Sequence, residues 1–90
     1  MLEIKFSSQF RKDYKKAVKQ NKDIEHLKVV IDKLSKKEKL DKRYFDHQLS
    51  GKLHGYRDCH IEPDWLLIYK SSNTELLLVR LGSHSELFKG

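Results

Sequence analysis

Five consecutive apolar residues, Trp65, Leu66, Leu67, Ile68 and Tyr69, constrain this chain more than any other feature. Side chains alternate between the two faces of a strand. A strand that is apolar at every position therefore belongs in the middle of a sheet, covered on both sides. Turn residues bracket the run, with Glu62-Pro63-Asp64 before it and Ser71-Ser72-Asn73 after Lys70. Residues 56–62 and 75–81 read as strands on either side, and Gly82 ends the last one.

The N-terminal half has a different period. Leu2, Ile4 and Phe6 alternate with polar residues, which predicts a short strand. Ser7 and Ser8 offer an N-cap. Phe10, Tyr14, Ala17 and Val18 then fall at helical spacing up to Gln20-Asn21. A second helix is predicted over residues 23–37, with Ile24, Leu27, Val30, Ile31 and Leu34 as its stripe. Residues 36–53 are polar and irregular and read as a connecting loop with Tyr44, Phe45 and Leu49 turned inward. Its length hints at function. The order is β-α-α-β-β-β: an α+β fold in which a helical hairpin packs on one face of a mostly antiparallel four-stranded sheet, as one domain over residues 1–90.

Charge narrows the partners. Nineteen Lys and Arg against 13 Asp and Glu give a net charge of +6 in 90 residues, which favours an anionic partner such as nucleic acid or an acidic protein. The single cysteine, Cys59, rules out an internal disulfide and suits a reducing compartment. No segment reads as a signal peptide or approaches a membrane span, so the expectation is a cytoplasmic protein with no membrane partner. No Gly-rich phosphate loop is present, which argues against nucleotide hydrolysis.

Four of the five histidines, His47, His54, His60 and His84, lie in the C-terminal half. Alternation puts Tyr56, Asp58, His60 and Glu62 on one face of their strand and Arg57, Cys59 and Ile61 on the other. The apolar pair Cys59 and Ile61 should face the helices, leaving His60 on the open side. In the last strand, Leu77, Val79 and Leu81 suit the helix side and Arg80 the open side. Asp64 and His84 then stand at strand ends near His60, and the loop could fold His47 over them. Such a set can cut RNA without a metal. A base takes the ribose 2′-OH proton, a cation stabilises charge on the phosphate, and an acid protonates the departing 5′-oxygen. Imidazole suits both proton roles near neutral pH, and arginine suits the cationic one. Each residue also has an ordinary reading: His26 and His54 as surface residues, Cys59 and Trp65 as core. Zinc is disfavoured, because the histidines are far apart in sequence and no paired-ligand motif is present. No cofactor is expected.

The segment DHQLSGKLHGYRDCHIEPDWLLIYK (residues 46–70), followed by VRLGSHSELF (residues 79–88), resembles the YafQ-like branch of the RelE/ParE toxin superfamily. The resemblance implies a ribosome-associated messenger RNA interferase of a type II toxin–antitoxin system, held in check by an antitoxin. Such complexes bind operator DNA mainly through the antitoxin. It implies catalytic or substrate-binding roles for His47, His60, Asp64, Trp65, His84 and Phe88. The roles expected here are His84 as acid, His60 as base with help from Asp64, and His47 as a further proton-transfer or phosphate-binding group. Arg57 and Arg80 would stabilise the phosphate, and Trp65 and Phe88 would shape the pocket or stack a base. The acid and base could be exchanged. Two rivals remain: a toxin of the same fold that inhibits DNA gyrase, and a non-catalytic RNA-binding module.

Overall fold

The computed structural model describes residues 1–88. The chain runs β1 (Glu3–Phe6), α1 (Ser8–Lys19), α2 (Ile24–Ser35), β2 (His47–Gln48), β3 (Arg57–Glu62), β4 (Trp65–Ser71), β5 (Glu75–Gly82) and α3 (His84–Leu87). Both long helices begin on the side-chain caps their sequences offer. The Ser7 hydroxyl accepts from the Phe10 N–H at 2.9 Å, and the Asp23 carboxylate accepts from the His26 N–H at 3.0 Å. The sheet order is β1-β5-β4-β3-β2. β1 runs parallel to β5, and the other pairs are antiparallel. No helix among the described residues is long and apolar enough to cross a membrane.

The expected α+β architecture is present, with five strands instead of four. The fifth is β2, two residues inside the stretch read as a loop, too short to show a period. The central strand behaves as its composition requires. Trp65, Leu67 and Tyr69 join the core with Leu27 and Val30 of α2, while Leu66 and Ile68 are buried on the opposite face at 1% and 3% exposure.

Two bulges change the facing of neighbouring side chains. Register shifts between Ile68 and Tyr69, where β4 meets β5. The residues of β5 in the helix-side core are therefore Leu76, Leu78 and Leu81, not Leu77 and Val79. An extra residue in a strand breaks the period of two. A second shift between His60 and Glu62 takes Glu62 off the face of His60, and its carboxylate groups with Asp23 and His26 at the start of α2. Within the loop, Tyr44 is buried at 2%, but Phe45 stands out at 66% exposure and Leu49 is half-buried.

Candidate active site

The open face of the sheet is best described as rungs across the strands. One rung joins His47 of β2, Asp58 of β3, Ile68 of β4 and Arg80 of β5. The next joins His60, Leu66 and Gly82. His84 follows Gly82 by two residues, at the start of α3. A Cβ built on Gly82 would come within 3.2 Å of both the Leu87 and Glu86 side chains, so α3 folds back closely over this end of β5. Three histidines from distant parts of the chain thus gather around Asp58, whose carboxyl is 2% exposed. Burial pushes that carboxyl above its ordinary range, while the charges of His47, His60 and His84 pull it back down.

Each histidine is held differently. The His47 Nδ1 lies 2.8 Å from the Phe45 carbonyl and 3.1 Å from Asp58 Oδ1. A carbonyl only accepts, so the proton on Nδ1 serves Phe45. That leaves Asp58 Oδ1 buried without a hydrogen bond among the described residues. The His60 Nδ1 lies 3.2 Å from the Pro63 carbonyl, which fixes a proton there, so Nε2 is the nitrogen that carries the lone pair whenever the ring is neutral. The His60 ring stands edge-on to Phe45, with centroids 5.5 Å apart. Phe45 holds this position with a left-handed backbone, φ +46°, a conformation that costs a bulky residue energy and recurs at functional sites. The exposed His84 ring lies 5.0 Å from that of Phe88.

The remaining expected site residues fall elsewhere or act indirectly. Asp64 does not touch His60; it accepts from the His84 N–H at 3.0 Å and so anchors the start of α3. A capping box between Ser83 and Glu86 completes that anchor. Lys16 of α1 bonds Glu86, and this contact, with the Ser83 N–H, holds the Glu86 carboxyl down to about 2. Trp65 is 2% exposed in the helix-side core and is no stacking platform. Replacing Trp65 with Ala should cost about 3–5 kcal/mol, against about 5–15 kcal/mol for a whole domain. Trp65→Phe should keep most of the fold and the activity. Urea unfolding of the two variants checks both; a Trp65→Ala protein of native stability would return the ring to the surface.

The two arginines are committed. Arg57 lies on the opposite face, its Nε 3.1 Å from Asp46, which also accepts from the Tyr69 hydroxyl at 2.6 Å. Arg80 binds Asp13 of α1 at 2.9 Å, and the same carboxylate accepts from the Leu81 N–H. Cys59 is fully buried, and burial drives its thiol pKa upward, so it is inert packing. Among the described residues, the group whose ligand atoms lie within 4.8 Å of one another is Asp23, His26 and Glu62, which excludes the three site histidines.

Sequence reasoning missed two features of this face. Asp58 was legible as a neighbour of His60, but its pairing with His47 depends on β2. Alternation also puts Tyr56 on this face, but not its partner: the Lys70 ammonium lies 5.2 Å from the Tyr56 ring centroid.

Comparison with known proteins defines the class of this small sheet with a helical hairpin on one side and gathered histidines on the other: a toxin of a type II toxin–antitoxin system. Residues 2–89 match the family model described as "Bacterial toxin of type II toxin-antitoxin system, YafQ". The mRNA interferase toxin YafQ of Escherichia coli K12 is 44% identical over 87 residues, 96% of this chain and 95% of that protein. A crystal structure of a copper-bound L66S mutant toxin from Helicobacter pylori superposes with a TM-score of 0.95 at 46% identity, covering 98% of this chain and all of that one. YafQ in the E. coli DinJ–YafQ toxin–antitoxin complex superposes with a TM-score of 0.90 at 43% identity, covering 97% of each chain. The chain belongs to the YafQ family of bacterial toxins.

Proposed function

We propose that this chain is a metal-independent endoribonuclease that cuts messenger RNA on the ribosome and is silenced by a cognate antitoxin. The observation that carries the reading is the convergence of His47, His60 and His84 on one buried carboxylate at an open sheet face. The curated E. coli relative is named an mRNA interferase.

In the proposed reaction, His60 Nε2 takes the ribose 2′-OH proton, and the 2′-oxygen forms a bond to phosphorus. His84 gives a proton to the 5′-oxygen as the P–O5′ bond breaks. The products are a 2′,3′-cyclic phosphate and a 5′-hydroxyl. His47 contacts the phosphate. Asp58 takes over the supporting role first expected of Asp64, because its negative charge favours the imidazolium that His60 becomes on taking its proton and that His84 must be before giving one. Asp64 positions His84 through the backbone. Phe88 flanks the leaving nucleotide. Arg80, on the rung of Asp58, supplies positive charge once Asp13 releases it; Arg57 has no part in the site.

The antitoxin reading rests on another surface. Ile4 and Phe6 are 38% and 48% exposed and border a groove with Phe10, Tyr14, Leu27 and Ile31. Lys15 and Lys28 sit at its rim. An amphipathic acidic segment fits this combination of apolar floor and basic edge.

The test is induction in cells followed by mapping of messenger RNA 5′ ends. New internal ends carrying 5′-hydroxyls are expected, and growth arrest without them would leave the gyrase reading in place. Cutting with purified ribosomes, assayed at constant free Mg²⁺ so that the ribosome stays intact, should survive a chelator selective for zinc and other transition metals, since imidazoles carry the proton transfers. Loss with chelator and recovery with zinc would overturn the metal-free mechanism.

A further inference from the structure

The histidine face continues past the proposed reaction centre. Tyr56 immediately precedes β3, two residues before Asp58, and Lys70, opposite Leu77 of β5, follows Ile68 by two on β4, so alternation puts both on the histidine face. Tyr56 is half-buried and Lys70 exposed. The Lys70 ammonium rests over the Tyr56 ring, 5.2 Å from its centroid. Lys70 has no carboxylate partner among the described residues, whereas Arg57 and Arg80 are each held by one. Four residues of strand separate Tyr56 from His60, ~13 Å at ~3.3 Å per residue. A phosphate bound by Lys70 is therefore a different one from the phosphate being cut.

We propose that Tyr56 and Lys70 form a second subsite for single-stranded RNA on the histidine face, the tyrosine ring stacking a base and the lysine ammonium binding a flanking phosphate. This rests on the ribonuclease reading and extends it. An aromatic ring beside a free cation is the pairing that holds single strands without regard to sequence. In the free protein the ammonium occupies the ring face. On binding, it swings to the phosphate and leaves the ring to the base. The subsite therefore lengthens the grip on the strand and places the scissile bond at His60 and His84.

Binding of a non-cleavable 2′-O-methyl RNA decamer, measured across a salt series, tests this. Lys70→Ala should weaken binding at low salt and flatten the slope of log affinity against log salt by ~0.7, the release expected for one single-strand phosphate. Lys70→Arg should restore the slope. Tyr56→Ala should weaken binding about tenfold with the slope kept, and Tyr56→Phe should bind like wild type. An unchanged slope in Lys70→Ala overturns the assignment, as does a decamer that wild type fails to bind. Lys70 is exposed, so misfolding does not confuse the result, and melting curves confirm it. The two failures separate cleanly: new messenger RNA ends in cells judge the ribonuclease reading, and the salt slope judges the subsite.

Discussion

Replacing His84 with Ala should lower messenger RNA cutting by about 10²–10⁴-fold, the range a positioned proton-transfer group contributes. Protein stability should stay within about 0.5 kcal/mol of wild type. The two effects separate because of where the residue sits. Its imidazole is exposed, with the Phe88 ring 5.0 Å away, while its backbone N–H is the part that holds α3 to Asp64. Alanine keeps that backbone bond and removes the only ring at this point able to protonate the 5′-oxygen. Asp64→Ala should do the reverse: the ring remains, the anchor of α3 is lost, and cutting falls by a smaller factor. Primer extension on induced transcripts reads both variants, with melting curves beside it. A His84→Ala protein that yields the same ends at a near wild-type rate would remove the acid from the mechanism and with it the reason for a histidine cluster.

That His60 and Asp58 would share the open face, with His84 at a strand end nearby, was legible in the sequence because the strand periods are clear. Alternation in residues 56–62 put Asp58 and His60 on one face, and the apolar run 65–69 marked the centre of the sheet. The partners of the arginines were not legible. Asp13 is 67 residues from Arg80 and Asp46 is 11 from Arg57, so only the folded chain shows that both guanidinium groups are occupied. The bulge at Ile68 and Tyr69 was hidden for a related reason. No glycine or proline marks it, and β5 is apolar at four successive positions, Leu76 to Val79, which suit either facing. The apolar run puts Trp65, Leu67 and Tyr69 on one face of their strand but leaves open which face meets the helices, because Leu66 and Ile68 are as apolar; only the fold shows Trp65 in the helix-side core. The short β2 has no period to read, yet it is the element that brings His47 beside Asp58.

Asp58 carries the second large effect, with opposite signs on activity and stability. Asp58→Asn should reduce cutting by about 10²-fold, the lower end for removing one electrostatic stabiliser of a reacting site. It should also make the free protein more stable at neutral pH. The carboxyl is buried, its Oδ1 lacks a hydrogen bond, and burial lifts its pKa above the ordinary value. A carboxyl raised on folding favours the folded state below its unfolded pKa, near 3.9. That contribution is lost as the pH climbs through the folded value. Above that window the ionised carboxylate burdens the fold, and the neighbouring imidazoles offset it less as they lose their protons. Asparagine carries no charge to bury. The gain should be about 1–3 kcal/mol, the usual cost of a buried polar group left unpaired, or roughly 4–8 °C in Tm for each kcal/mol in a domain of this size. It should be larger at pH 8 than at pH 5. Activity against pH should be bell-shaped in wild type, and the variant's optimum should move to lower pH, because removing a negative charge disfavours nearby imidazolium. A variant that is less stable than wild type at pH 8, with an unshifted optimum, would make Asp58 a packing residue and leave the three histidines without a common centre.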